Sequence, residues 1–290
     1  MMETVKTCPV CMGTNFINYL EINDFSISGE VFKIQKCSQC NFLITNPRPD
    51  ETDIVKYYES ADYISHSNKS GSIMDRIYKI VRNKNISVKH KLIREFSDGN
   101  SILDYGCGTG EFIHFMKNKG FSIYGVEPAT IARKQAESLN AVTIADHIDR
   151  IATNEISIIT LWHVMEHIHQ LRETIEKLRN LQDKNGILII AVPNHNSLDN
   201  KIYGKYWAAW DVPRHLYHFS SDVMIRLIES FGYHYLATRP MKFDAYYVSL
   251  LSEKYKGNKN PINAFLNGLK SNIKARKTGE HSSKIYIFKR

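Results

Sequence analysis

Ser101-Ile-Leu-Asp104-Tyr-Gly106-Cys-Gly108-Thr-Gly110 begins a stretch that runs through a helical segment to Ile123-Tyr-Gly-Val-Glu127-Pro128. An apolar strand feeds a glycine-rich turn, a helix follows, and a second strand ends in an acid. Glycine lets a backbone approach a ligand closely, and an acid closing the next strand can accept both hydroxyls of a ribose. A glycine triplet alone says little. Strand, turn, helix, strand and terminal acid in this order say much more.

The same rhythm extends outward. Candidate strands lie at 101–105, 122–127, 141–145, 157–162, 186–192 and 233–239, and Ile168, Leu171, Ile175 and Leu178 form one apolar helix face between the fourth and fifth. Such alternation predicts a mostly parallel sheet covered by helices on both faces. Residues 241–290 begin with helical pattern and end in Lys284-Ile-Tyr-Ile-Phe288, a candidate closing strand. Upstream, residues 50–100 read as two helical stretches around the polar break Ser65 to Gly71, with Ile73, Ile77, Ile80 and Val81 at helical spacing.

At 290 residues and 43% hydrophobic composition the chain can bury a substantial core. Its net charge of +8 is local: Lys242–Arg290 carries eleven Lys and Arg against three acids, and the remainder balances 27 against 27. That segment suits either a solvated basic helix face or an anionic surface. No apolar run is long enough to span a bilayer, and Met1 to Thr7 lacks an export core, so the expectation is a cytoplasmic protein without membrane contact.

Cys8-Pro-Val-Cys11 and Cys37-Ser-Gln-Cys40 are separated by 25 residues. Four thiolates in two such pairs suit tetrahedral zinc, and a closed four-cysteine set is structural rather than catalytic. Phe16 to Leu20 and Val31 to Ile34 read as short strands between the pairs, which predicts a zinc ribbon. Cys107 stands apart, a small side chain packed in the glycine turn.

The turn's glycines alternate as Gly106, Gly108 and Gly110 rather than in the spacing of a dinucleotide-binding turn. Asp104, two residues before them, would repel a pyrophosphate and suits a ligand bearing an ammonium group. On these residues the chain resembles the class I S-adenosylmethionine-dependent methyltransferases. The resemblance implies a Rossmann-like sheet, mostly parallel with an antiparallel last strand. It puts the glycines against the methionine part of the cofactor, Glu127 on the ribose hydroxyls and Asp104 on the amino group. It also implies that Asp146, after the third strand, lies near adenine, and that Leu161-Trp162-His163 crosses the cofactor and faces the acceptor.

His163-Val-Met-Glu166-His167 by itself matches an inverted zinc-protease pattern, but that motif belongs inside a helix, and here it leaves a strand-like Ile156-Ser-Ile-Ile-Thr-Leu161. Glu166 and His167 are equally readable as the start of the next helix.

The loop Trp207-Ala-Ala-Trp210-Asp211-Val-Pro213-Arg214-His215-Leu-Tyr217-His218 follows the fifth strand. With Asn46-Pro-Arg-Pro49 and the Tyr57-Tyr58 to His66 segment, it resembles a bacterial subgroup of zinc-ribbon methyltransferases. Many of that subgroup are associated with surface polysaccharide, other glycan and secondary-metabolite pathways. Trp210 and Tyr217 could face a sugar or base, and Arg214 a phosphate or carboxylate. His215 could take a hydroxyl proton, with His163 as a second candidate base. Equally, Asp211 and Arg214 could pair to hold the loop, with the aromatics as local core.

The expectation is therefore a zinc ribbon (1–49), a helical lid or linker (50–100) and a methyltransferase domain (101–290) with a helical insertion at 241–272. The Tyr57 to His66 segment would cover the cofactor, with Tyr58 touching it. S-adenosylmethionine and a structural zinc are the expected cofactors. The partner is a small-molecule acceptor, a hydroxyl or carbon of a sugar or nucleotide-sugar, and a homodimer stays open. One alternative is an RNA methyltransferase gripping phosphates with the ribbon and the basic segment. The ribbon argues against nucleic acid: between Cys8 and Cys40, Lys33 and Lys36 stand against Glu21, Asp24 and Glu30. Another is a non-catalytic module that binds the cofactor and recruits partners.

Overall fold

The computed structural model describes residues 1–58, 73–258 and 260–290. The polar break at Ser65 to Gly71 and most of the expected lid, from residue 59 to His66, lie outside the described residues.

The N-terminal part is a small antiparallel sheet. Strand β1 (Met2–Glu3) pairs with β5 (Arg48–Pro49), and β2 (Phe16–Asn23), β3 (Val31–Cys37) and β4 (Leu43–Thr45) form a meander. The β2–β3 turn is held by Asp24, whose carboxylate accepts the amides of Ser26 and Ser28, both at 3.0 Å. Phe32 and Ile34 alternate inward along β3, as a half-buried strand requires.

The main body follows as α1 (Ile73–Phe96), β6 (Ser101–Tyr105), α2 (Glu111–Asn118), β7 (Ser122–Val126), α3 (Thr130–Asn140), β8 (Ile156–Trp162), α4 (Leu171–Leu181), β9 (Gln182–Pro193) and α5 (Leu198–Tyr203). The chain continues through β10 (Tyr217–His218), α6 (Ser221–Glu229), β11 (His234–Pro240), α7 (Asp244–Tyr255), α8 (Pro261–Thr278) and β12 (Ser283–Lys289). Six strands make one sheet in the order β11-β12-β9-β8-β6-β7. Strands β7, β6, β8 and β9 run parallel, and β12 lies antiparallel between β9 and β11. Both faces are covered. Along β9, Leu188, Ile190 and Val192 enter one core while Ile187, Ile189 and Ala191 enter the other.

Three expectations need adjusting. Residues 141–145 form no strand: Ala141 ends α3 in the left-handed region, and only Ala145 reaches the sheet, as a single bridge to Val126. Strand β9 starts at Gln182 rather than 186, directly after α4. Ile168 precedes α4, separated from it by a short turn, so the apolar helix face is Leu171, Ile175 and Leu178.

The ribbon and the body are knitted together. Strand β10, from the loop after α5, adds antiparallel to β4 with Tyr217 opposite Ile44 and His218 opposite Leu43. Cys8, Phe32 and Ile44 share one hydrophobic core with Leu161, Trp210 and Phe288. Helices α7 and α8 pack closely, and Gly268 permits it: a Cβ there would come within 2.9 Å of the Ala245 carbonyl oxygen.

Candidate functional site

The glycine turn sits at the carboxyl end of β6, where an open parallel sheet leaves a crevice. Gly106, Gly108 and Gly110 all take positive φ (77°, 57° and 83°), a region that favours glycine. A Cβ on Gly106 would also strike Val164 at 2.5 Å, whereas the space above Gly108 is open. The Gly108 amide donates to Glu127 Oε2 at 2.8 Å, and the Ala129 amide to Glu127 Oε1 at 2.9 Å. Two backbone donors therefore aim the acid that closes β7.

Asp104 is buried beneath the turn and accepts a 2.6 Å hydrogen bond from Thr160 Oγ1. Burial pushes its pKa up to about 7, against the pull of Thr160 and Lys89. Lys89, on α1, puts its ammonium 4.1 Å from the centre of the Trp162 ring and 5.5 Å from that of Phe112. Burial lowers the Lys89 pKa to about 8. Burial thus disfavours the charged form of both groups. No residue pattern in the sequence marked Lys89; it comes from a helix outside the strand–turn unit.

The end of β8 supplies Trp162 and His163. Leu161 is buried in the core, whereas Trp162 and His163 are only partly buried. Trp162 stacks edge-on to Phe112 at 5.7 Å. His163 adopts φ 57°, its Nε2 lies 3.0 Å from Asp244 Oδ2 and its Nδ1 3.4 Å from Glu166 Oε1. Burial opposes a charge there, but the two carboxylates outweigh it and raise the pKa to about 10. A histidine held in this way is an imidazolium at neutral pH, with no lone pair for a proton. Asp146 follows the bridge at Ala145, whose carbonyl accepts the Glu127 amide at 2.8 Å. Its side chain is 52% exposed and lies 3.6 Å from Arg150 Nε.

The loop residues separate into two sets. Arg214 is buried with its guanidinium fully engaged: Nε and Nη2 donate to Asp211 at 3.0 and 2.7 Å, Nη2 to Asp24 at 3.0 Å, and Nη1 to the Tyr57 carbonyl at 2.9 Å. Its fork joins loop to ribbon. Tyr217 is buried in β10, stacked on Phe42, and its hydroxyl donates to the His169 carbonyl at 3.2 Å. His215, by contrast, meets His167 edge-on at 4.7 Å, and Tyr58 Oη lies 3.0 Å from His167 Nδ1.

Trp210 is largely buried, donating Nε1 to the Gly204 carbonyl at 3.0 Å, yet its edge lines a groove of about 600 Å³ between ribbon and body. Tyr19, Lys36, His195, Lys201 and Lys205 also line it, and none of the glycine-turn residues does.

The four ribbon cysteines also converge. Cys8 Sγ lies 3.5 Å from Cys40 Sγ, Cys11 Sγ 3.5 Å from Cys37 Sγ, and all four sulfurs fall within 4.8 Å of one another. Thiolates on one tetrahedral zinc stand roughly 3.8 Å apart, given bonds of about 2.3 Å. Met12 and Asn41, each just after the second cysteine of its pair, both take φ 62°. The two turns are thus built alike, and the donor set fits zinc.

Comparison with known proteins agrees with this geometry. The family model described as a methyltransferase domain matches residues 78–238. The chain belongs to that family. It is 30% identical over 112 residues to the ubiquinone biosynthesis O-methyltransferase of Glaesserella parasuis, covering 34% of this chain and 48% of that protein. It is 29% identical over 147 residues to an uncharacterized protein of Methanocaldococcus jannaschii, covering 50% of this chain and 53% of that one. The chain thus spans about half the length of the curated relatives it matches. Its fold resembles that of magnesium protoporphyrin IX methyltransferase from Synechocystis PCC 6803, solved with bound SAH. That match has a TM-score of 0.54 and 12% identity, and covers 83% of this chain and 100% of the other. Among the described residues no helix is long and apolar enough to cross a membrane.

Proposed function

We propose that the chain methylates a hydroxyl or carbon of a sugar or nucleotide-sugar, in glycan or secondary-metabolite synthesis. One observation carries the acceptor class: three lysines, a histidine and two aromatic rings line one groove at the carboxyl end of β9. Lysines suit a phosphate-bearing ligand and aromatic faces suit a sugar or base.

When bound, S-adenosylmethionine supplies an activated methyl group for in-line displacement. Gly106, Gly108 and Gly110 receive its methionine part, with Tyr58, Trp162 and His163 bordering the crevice. Glu127, aimed by Gly108 and Ala129, takes the ribose hydroxyls, and Asp104 the amino group. Asp146 is the residue placed for adenine. Trp210 offers its edge to the acceptor, while Arg214 and Tyr217 keep the loop in place.

His215 is the proposed proton acceptor. Its Nδ1 lies 2.9 Å from the Ala209 carbonyl, so that nitrogen carries the hydrogen and Nε2 keeps a lone pair. His163 orders Asp244 and Glu166 rather than taking a proton. Cys8, Cys11, Cys37 and Cys40 hold a structural zinc that orders the ribbon against the body.

The test is turnover with methyl-labelled cofactor over a panel of nucleotide-sugars, with a structured RNA as control. Changing Lys201 and Lys205 to Glu together is expected to raise the acceptor KM at least about tenfold without altering cofactor affinity. Methylation of the RNA alone, or an unchanged acceptor KM, would overturn the reading.

A further inference from the structure

Glu166, His167 and His215 form a second convergent cluster of donor atoms, one atom from each lying within 4.8 Å of the other two. Glu166 is 1% exposed, and neither of its carboxylate oxygens has a hydrogen-bond partner. The nearest cation, His163 Nδ1, lies 3.4 Å from Oε1 but outside hydrogen-bond geometry. His163 meets the charge on the Oε1 side, but Oε2 is buried without a hydrogen-bond donor, which loses its hydration.

The two histidines are arranged in the same way as each other. His167 Nδ1 meets the Arg214 carbonyl at 2.9 Å, and His215 Nδ1 meets the Ala209 carbonyl at 2.9 Å. A carbonyl oxygen only accepts, so each Nδ1 bears the hydrogen and each Nε2 a free lone pair. Imidazoles that bind metal are commonly fixed by just such a contact on the other nitrogen. The backbone enforces the meeting: the Leu216 amide donates to the Glu166 carbonyl at 2.8 Å, which seats His215 beside the turn at Met165–His167.

We propose that Glu166, His167 and His215 bind a divalent first-row transition-metal ion, separate from the four-cysteine site, with a coordination position left for an oxygen of the methyl acceptor. Two imidazole nitrogens and one carboxylate suit zinc, manganese, iron or cobalt better than magnesium or calcium, which prefer all-oxygen shells. Donors on one ion stand roughly 3.4 Å apart for bonds of about 2.1 Å, so the side chains need to close in by under about 1 Å each. The Tyr58 hydroxyl oxygen lies 3.0 Å from the same His167 Nδ1 and helps fix that ring. The acceptor oxygen in this picture rests on the methyl-transfer reading above; the ion itself does not, and where the ion is bound His215 Nε2 coordinates it in place of the proton-accepting role given to the metal-free chain.

The full chain, loaded with cobalt and dialysed, is expected to retain one ion per chain more than Glu166→Gln or His215→Ala. The extra ion should show only weak visible bands, without the intense thiolate charge-transfer absorption of a cysteine site. Calorimetric titration with S-adenosylmethionine checks that each variant is folded, and His215→Gln serves if His215→Ala is not. Equal metal content in wild type and variants would overturn the proposal. If the extra ion binds but no acceptor is methylated, the metal site stands and the functional reading falls.

Discussion

Arg214 Nη2 donates to Asp24 Oδ1 at 3.0 Å, joining the body's loop to the ribbon turn across 190 positions of sequence. The same guanidinium engages Asp211 and the Tyr57 carbonyl. Against the burial that would raise them, the Ser28 amide and then Arg214 hold the Asp24 carboxyl below the usual carboxylate range, and Arg214 does the same for Asp211. Ribbon, loop and the Tyr57 backbone therefore meet at one buried cation.

Arg214→Ala leaves two acids at this junction without their cation. Breaking a buried pair costs about 3–5 kcal/mol. A large fall in melting temperature is expected, with Arg214→Lys only partly better because an ammonium cannot reproduce the planar fork. Thermal denaturation of the three proteins checks this; an unchanged midpoint in Arg214→Ala would refute it.

Asp104 makes the cofactor-free chain sensitive to pH. Its folded pKa is raised to about 7 from 3.8, so between those values the folded state holds a proton that the unfolded state has lost. Stability from this group is therefore full below pH 3.8 and lost as pH rises through 7, by up to about 4 kcal/mol at one pKa unit per 1.36 kcal/mol. Urea unfolding at pH 5 and pH 8 should show wild type losing ground to Asp104→Asn at the higher pH. A constant difference would remove Asp104 as the cause.

Glu127→Ala removes the carboxylate aimed by Gly108 and Ala129. Hydrogen bonds to charged groups are worth about 1.5–3 kcal/mol each. The KM for S-adenosylmethionine is expected to rise at least about tenfold, with a smaller change in kcat. A fall in kcat with KM intact would move Glu127 from cofactor binding to the chemical step.

Removing metal from the four cysteines should destabilise more than the ribbon. Strand β10 pairs with β4, and the ribbon's Phe32 and Ile44 share a core with Trp210 and Phe219. Cys37→Ser is expected to lower the melting temperature in one cooperative transition and to release zinc measurable by elemental analysis. Two separate transitions would show that the ribbon folds independently.

The glycine turn and the acid it hydrogen-bonds, Glu127, were legible in the chain because their parts are local. Gly106, Gly108 and Gly110 need positive φ within one turn, and Glu127 is reached one helix and one strand later. The cysteine pairs were legible for the same reason. Strand 141–145 was misread because Val142, Thr143 and Ile144 have strand character, while the left-handed Ala141 and a single bridge decide otherwise. For Arg214 the sequence left a phosphate ligand and a loop-holding pair with Asp211 equally open; the structure shows the pair, and adds Asp24 as a partner no local pattern could supply.

Read alone, then, the sequence determines the fold class, the glycine turn and the cysteine set, because backbone sterics and short spacings encode them. Tertiary structure alone decides the rest. It sets His163 between Asp244 and Glu166, brings Lys89 over Trp162, and seats His215 beside Glu166 and His167. Asp244, Lys89 and His215 are far in the chain from the groups they meet, and burial together with neighbouring charge determines which of these groups carry charge. Packing places them, and desolvation sets their chemistry.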